Sequence, residues 1–415
     1  MTLNIKRLGH LGEGVADGPI FVARALPGEV VDGDVIDGRI TAPRILTPSP
    51  DRVRAPCPHY KACGGCALMH ASNAFVAGWK RDVVRRALQS QDLDPEVTAP
   101  DTSPPRSRRR AVLSARRLKS GVVVGFHGRA SGTIIPVPEC HLLAPELLAA
   151  VPTCEGITAR LGSRKGEMKF TLTLSEAGVD LCFEGGRTLD GPERMELAQL
   201  AEAANLARLA SGTDVIVERR APVQIFGSAH VVPPPGAFLQ ATAEGEAALV
   251  GAVRDAIGPA RLVADLFAGC GTFALALASQ SEVHAVESSH DMLAALNRGW
   301  RFGTGLKPVT TETRDLFRQP LLNDELDRFD AVVIDPPRAG ALAQMQELAQ
   351  SSVPRIAAVS CNPVTFARDA KVLVAGGYRL ISVRVVDQFR WSAHVELAAS
   401  FVRDHIAVGA VKKER

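Results

Sequence analysis

Residues 261–273 read Arg261-Leu262-Val263-Ala264-Asp265-Leu266-Phe267-Ala268-Gly269-Cys270-Gly271-Thr272-Phe273. The run 261–266 has the length and apolar character of a buried strand, and the apolar run 274–278 opens a helix. Gly269 and Gly271 let the backbone turn sharply between the two, beside a ligand. A lone glycine pair also suits a plain strand–helix turn, so its surroundings must decide. Glu287 closes the next apolar run about 20 residues on, where a carboxylate can bind ribose hydroxyls. The third glycine of a dinucleotide fingerprint is missing. A pyrophosphate wants that close helix approach, whereas S-adenosylmethionine carries no phosphate. The loop is therefore read as a site for that methyl donor.

Working outward, helical segments of ten or more residues alternate after Gly236 with the apolar runs 261–266, 282–286, 331–334 and 356–360. That alternation predicts a parallel sheet covered by helices. Asp265, just before the loop, is expected to face the sulfonium or amino group. Asp315, at the end of the third strand, is expected at the adenine edge, unless it is a solvated loop acid.

Two further strands end in unusual residues. Ala331-Val332-Val333-Ile334 leads into Asp335-Pro336-Pro337-Arg338, and the carboxyl end of a parallel strand lies beside the ligand crevice. The two prolines remove N–H donors and stiffen the loop, so Asp335 is held where a substrate base would sit; the alternative is a structural Asp that caps a turn. The next run ends in Ser360-Cys361-Asn362-Pro363 and projects Cys361 into the same crevice. A cysteine at a strand end is commonly a small buried hydrophobe. The adjoining Asn-Pro turn favours a functional one. Glu396, in His394-Val395-Glu396, opens a further apolar run and can reach the crevice as a base, with His394 either orienting a group there or facing solvent. A thiol and a carboxylate together suit methylation of a poor carbon nucleophile. A thiolate adding to carbon 6 of uracil makes carbon 5 enolate-like. A base must afterwards remove the carbon-5 proton so that the thiol can leave.

Residues 57–66 contain Cys57, Cys63 and Cys66, and three thiols this close usually share a metal. Cys140 is the best candidate for a fourth ligand. Spacing alone leaves zinc and an iron–sulfur cubane open. Cys154 and Cys182 read as core residues. Between Asp101 and Glu139 there is no acid but eight basic residues: Arg106, Arg108, Arg109, Arg110, Arg116, Arg117, Lys119 and Arg129. Such a field suits phosphate contacts, with Phe126 and His127 placed to stack on a base; the alternative is a solvated strand face.

The 415 residues suffice for two to four domains, and the 46% hydrophobic content is ordinary for globular chains. The net charge of +3 argues neither for nor against nucleic acid, so local clustering decides. No apolar run has membrane-spanning length and no signal-peptide core opens the chain; a cytoplasmic protein with no obligate protein partner is expected. Short apolar runs cut by Gly, Asp and Pro over 1–54 suggest a small β-barrel, for which an OB type that binds single-stranded RNA would suit; the alternative is any other small β-domain. Residues 74–89 read as a helix with Phe75, Trp79, Val83, Val84 and Leu88 on one side, 99–105 as a linker, and 193–210 as a helical insert among short strands.

The segments 335–338, 360–363 and 394–396, with the glycine loop, resemble the RNA uracil-5-methyltransferases, and the likeness spans nearly the whole chain. It implies Cys361 as nucleophile and Glu396 as proton acceptor. It places Asp335 on the target base and Gln240, Phe267 and Glu287, with Gly269, Gly271, Thr272 and Asp315, around S-adenosylmethionine. Arg109, Arg110 and Phe126 join the expected RNA contacts. Cys57, Cys63, Cys66 and Cys140 resemble the [4Fe–4S] ligands of the rRNA-specific branch, which points to 23S rRNA. Thr242 stands where the family usually has Asn, and Thr272 where some members have Asn.

The expected fold is α/β: a C-terminal Rossmann-like class I methyltransferase domain, an N-terminal OB-like TRAM β-barrel, and a central, mostly β domain holding an iron–sulfur cluster. The boundaries are 1–54 for the barrel, 55–73 with 104–236 for the central domain, and 74–103 with 237–415 for the methyltransferase domain. Three rivals remain: the same reaction on tRNA; methylation of a base amine or a protein through Asp335-Pro336-Pro337; and an RNA-binding iron–sulfur protein with an inactive enzyme fold.

Overall fold

The computed structural model describes residues 1–403; the expected methyltransferase domain's last residues, 404–415, lie outside the described residues. The C-terminal half is built on an eight-stranded sheet. From one edge its strands are Val309–Thr313, Glu282–Glu287, Leu262–Leu266, Ala331–Ile334, Arg355–Ser360, Glu396–Arg403, Tyr378–Asp387 and Glu96–Thr102. The central strands are apolar throughout because both faces are covered. On one face lie Leu266, Val332, Ile334, Ile356 and Phe401 with Leu88, Leu348 and Phe366 from helices. On the other lie Val263, Val333, Ala357 and Val359 with Leu249, Val253, Leu275 and Leu296.

One reversal in this sheet sets up the site. Glu396–Arg403 runs antiparallel to Arg355–Ser360, with Leu397 opposite Ser360. The beginning of one strand therefore lies beside the end of the other, and Glu396 sits next to Cys361. The parallel strands ending at Leu266, Ile334 and Glu287 finish at the same edge, where open α/β sheets bind ligands.

Helix Asn73–Gln89 begins at Ser72, whose hydroxyl accepts from the Phe75 N–H at 3.2 Å. It buries Val76, Trp79, Lys80, Val84 and Leu88, so Lys80 stands on the face that apolar spacing assigns to the core. Its Nζ, fully buried, donates to Asp387 at 2.5 Å and to the Phe389 carbonyl at 3.1 Å.

Three other sheets lie among the described residues, the smallest a hairpin of Gln224–Phe226 and Ala229–Val231. A six-stranded sheet occupies residues 2–47, with Ile5, Ala16, Val22, Ala25, Val31 and Ile40 as its core. A seven-stranded sheet is built from strands between 110 and 218, with helix Val151–Leu161 packed on it.

Three sequence expectations need correcting. The stretch 99–105 is not simply a linker, since Glu96–Thr102 forms the sheet edge, parallel to Tyr378–Asp387. Pro100 is tolerated there because an edge strand can lack an N–H, and the register shifts between Arg384 and Val386 opposite it. The helix expected over 193–210 is Gly191–Ala203; the chain turns at Asn205 (φ 52°), and Arg208–Ser211 joins the sheet. Helices Pro145–Ala149 and Val151–Leu161 lie in a region that reads as short strands.

Candidate active site

At the shared sheet edge lies a cavity of about 640 Å³, within the range of small-molecule sites. Gln240, Phe267, Gly269, Glu287, Asp315, Asp335, Cys361 and Glu396 all line it. Gly271 and Thr272 do not. Gly271 serves the turn instead: its φ is +93°, and an added Cβ would come within 2.8 Å of Leu296. Gly269, also at positive φ, has open space where a Cβ would stand, so the loop leaves room for a ligand. Phe267 holds φ +64°, a conformation disfavoured for a bulky residue and found mainly at functional turns.

Glu287 is oriented by three donors: the Gly269 N–H at 3.1 Å, the Ser288 hydroxyl at 2.9 Å and the Ser289 N–H at 3.0 Å. Asp265 does not face the cavity, contrary to expectation. It is fully buried and accepts from the Ala274 N–H at 2.8 Å, fastening the first turn of the following helix. Burial pushes its carboxyl up to about 8.

The reactive side chains share one wall. Cys361 is half-buried at the end of its strand, and its thiol is pushed up to about 11, first by burial and then by the charges of Glu396 and Asp335; Arg338 opposes this. Glu396 is 4% exposed, and burial followed by the charge of Asp335 raises its carboxyl well above the ordinary range. Desolvation raises Asp335 as well. Two carboxylates so placed hold a proton between them more readily than either alone. His394 lines the cavity and packs edge-on against Phe389 at 5.9 Å between ring centres.

Three residues at or just behind this wall carry roles that the sequence reading did not give them. Phe317 tilts against Phe267 at 5.4 Å, giving the cavity two aromatic walls. Arg108 reaches it with its guanidinium 5.7 Å from the Phe389 ring centre. Gln388 links Gln240 and Glu396 by hydrogen bonds. Short-range hydropathy carries no mark of these roles. Cys361, Arg338 and His394 also border a second groove, whose other wall includes Arg39, Gly65 and Arg129.

Two arginines expected to contact RNA are engaged inside the protein. Arg109 pairs with Glu246 at 2.5 Å and donates to the Gln240 carbonyl at 3.2 Å. Arg110 donates to the carbonyls of Ala237 at 2.9 Å and Gly236 at 3.3 Å and lies over Phe238. The exposed basic residues of that stretch include Arg106, Arg117 and Lys119. Phe126 is half-buried against the cysteine-rich loop instead of standing free for stacking.

Cys57, Cys63, Cys66 and Cys140 line one small apolar cavity. The Cys63 and Cys140 sulfurs accept from the N–H groups of Gly65 and Leu142, each at 3.4 Å. Among the described residues, no group of three or more His, Cys, Asp or Glu is set to hold a metal ion. Burial is the first cause raising the Cys57, Cys63 and Cys66 thiols, and the neighbouring sulfurs raise them further. Next to this loop, the N–H groups of Ala67 and Leu68 donate to the Trp391 carbonyl at 2.7 and 2.9 Å, joining it to the loop before Glu396. No helix among the described residues is long and apolar enough to cross a membrane.

Comparison with known proteins adds four findings. Residues 306–403 match the family model described as tRNA (Uracil-5-)-methyltransferase. An uncharacterized RNA methyltransferase of Brucella suis is 46% identical over 96% of this chain and 96% of its own. The 23S rRNA (uracil(1939)-C(5))-methyltransferase RlmD of Shewanella piezotolerans is 30% identical over 97% of this chain and 95% of its own. Among solved structures, the Pyrococcus abyssi tRNA (uracil-54, C5)-methyltransferase in complex with S-adenosyl-L-homocysteine has the same fold, with a TM-score of 0.76 over 97% of this chain and 99% of that one, at 21% identity.

Proposed function

The chain belongs to the RNA uracil-5-methyltransferase family, and from that premise we propose that it methylates carbon 5 of a uridine through a transient bond to Cys361. The observation that carries this is the shared wall: Cys361, Glu396 and Asp335 border one cavity with the glycine loop. Cys361 gives up its thiol proton to water and, as the thiolate, adds to carbon 6 of the flipped-out base, and the ring electrons shift to carbon 5. S-adenosylmethionine, when bound, supplies an electrophilic methyl group. Glu396 then takes the carbon-5 proton; the carbon 5–carbon 6 double bond re-forms as the thiolate leaves. Asp335 holds the base by its polar edge. The raised carboxyl of Glu396 suits a group that must accept a proton near neutrality.

Glu287, Asp315, Phe267, Gln240 and Gly269 would hold the methyl donor, with Glu287 offered to its ribose hydroxyls and Asp315 to its adenine edge. The open space beside Gly269 and the aromatic walls support this fit. The residues around Cys361 favour carbon methylation over methylation of an amine, which needs no covalent nucleophile.

The four lining cysteines are assigned to a [4Fe–4S] cluster. What supports this is that the four thiols line one apolar cavity and that N–H groups are aimed at two of the sulfurs, those of Cys63 and Cys140. Its part is to stiffen the loop that holds Trp391. Residues 1–54 are assigned to a TRAM-like barrel, 55–73 with 104–236 to the cluster domain, and 74–103 with 237–415 to methyl transfer. The RNA is assigned as 23S rRNA, the substrate named for the Shewanella relative; tRNA is the alternative.

The test uses 23S rRNA and tRNA transcripts tritiated at uracil carbon 5. Tritium should pass to water from the rRNA with the wild-type enzyme and not with Cys361→Ala. Release that survives the substitution rules out the covalent route, and release from tRNA alone rules out the substrate assignment.

A further inference from the structure

Glu396 is almost fully buried, and its carboxylate accepts a hydrogen bond from Gln388 Nε2 to Oε2 at 3.1 Å. The same Nε2 donates to Gln240 Oε1 at 2.6 Å. The other end of the carboxamide is fixed by the backbone: Gln388 Oε1 accepts from the Ala241 N–H at 2.7 Å. An amide N–H can only donate, so the oxygen of Gln388 must face Ala241 and its NH2 must face the two acceptors. Gln240 is oriented in turn, with its own NH2 turned to Asp335 Oδ2 at 3.5 Å. Gln388 is 2% exposed. Its neighbours are anchored by Lys80, which holds both the Asp387 carboxylate and the Phe389 carbonyl.

We propose that Gln388 is a positioning residue for methyl transfer: its carboxamide fixes one oxygen of Glu396 and leaves the other free to take the carbon-5 proton. This rests on the reading of Glu396 as the base. The proton goes from carbon 5 to that oxygen, the C–H electron pair forms the ring double bond, and the carbon 6–sulfur pair leaves with Cys361. A fixed donor also favours the charged carboxylate over the neutral acid.

Other charged groups around Glu396 differ in what Gln388 can affect. Asp335 faces it from the end of its strand and Cys361 from the neighbouring strand end. Arg338 lies on the loop after Asp335, and His394 stands two residues before Glu396. Asp387 is neutralised by Lys80 from helix Asn73–Gln89, and Glu246, on the helix Ala243–Ile257 packed against this strand, is neutralised by Arg109. Among the described residues, Gln388 is the donor bonded to the Glu396 carboxylate.

The experiment measures tritium release from pH 6 to 9, together with the protein–RNA adduct that resists denaturant, for wild type, Gln388→Met and Gln388→Glu. Gln388→Met keeps the buried volume without the donor, and the acidic limb of the rate profile should move up by about one pH unit. Near neutral pH, release should fall about ten-fold while the adduct accumulates, since addition and methyl transfer precede proton removal. Gln388→Glu brings a third carboxylate and should move the limb further. It decides the matter should the methionine variant not fold. Slower release with an unmoved limb in both variants, and no more adduct than wild type, would overturn the proposal. A wild-type enzyme that releases no tritium would instead overturn the functional reading beneath it.

Discussion

Glu396 and Asp335 each raise the cost of charging the other, and Cys361 sits against both. Burial first, and then the charges of Glu396 and Asp335, favour the Cys361 thiol over the thiolate, so covalent addition must be coupled to loss of that proton to water. Glu396 accepts a proton only when ionised, and its carboxyl lies above the ordinary range. The rate should thus climb as pH rises through neutrality and fall on acidification. Glu396→Gln keeps the shape and removes the acceptor. That variant should form the adduct with RNA and the methyl donor, release no tritium, and accumulate the adduct, as gel mobility under denaturing conditions can show. Absence of any adduct would mean that Glu396 acts before methyl transfer. Cys361, Asp335 and Glu396 were legible because each ends or opens an apolar run. Gln388 was not, because a neutral side chain bridging residues far apart in sequence leaves no periodic signal. Asp265 was misread because its position in the chain does not say whether its carboxylate turns to the ligand or to the next helix.

At the scale of elements, the antiparallel pairing of Glu396–Arg403 with Arg355–Ser360 converts two distant segments into one site. Apolar runs forecast both strands but not their relative direction, which is set by tertiary packing. Pro100 disguised the edge strand Glu96–Thr102, because proline signals a linker unless the N–H side of the strand is free. Lys80 was hidden differently: spacing marked its helix correctly, while a charge on the buried face has no counterpart in hydropathy. The Lys80–Asp387 pair joins that helix to the strand end before Gln388. Lys80→Met leaves Asp387 buried and unpaired, which should cost about 3–5 kcal/mol in urea unfolding. The loss should be partly recovered by a second change, Asp387→Leu. A single variant as stable as wild type would show that the pair carries no structural load.

Across the whole molecule, a net charge of +3 gives no long-range pull on RNA, so binding must rely on local positive surface. Arg109 and Arg110 are spent on internal contacts. Arg117 and Lys119 remain exposed and are available to phosphates. Replacing both with Ala should lower the slope of log affinity against log salt by about 1.4–1.8, with turnover at saturating RNA unchanged. An unaltered slope would move the RNA track elsewhere, towards the groove bordered by Arg39, Arg129 and Cys361. Iron and sulfide analysis of anaerobically purified protein tests the cluster, and zinc without iron would overturn it.

The covalent bond itself is open to a direct measurement. Fluorine at carbon 5 of the target uridine cannot be removed as a proton, so the enzyme should halt after methyl transfer, joined to the RNA. Digestion and mass spectrometry should then find the methylated nucleotide on the peptide carrying Cys361. Its attachment to any other residue, or methylation of unfluorinated RNA with no adduct from the fluorinated one, would contradict the account.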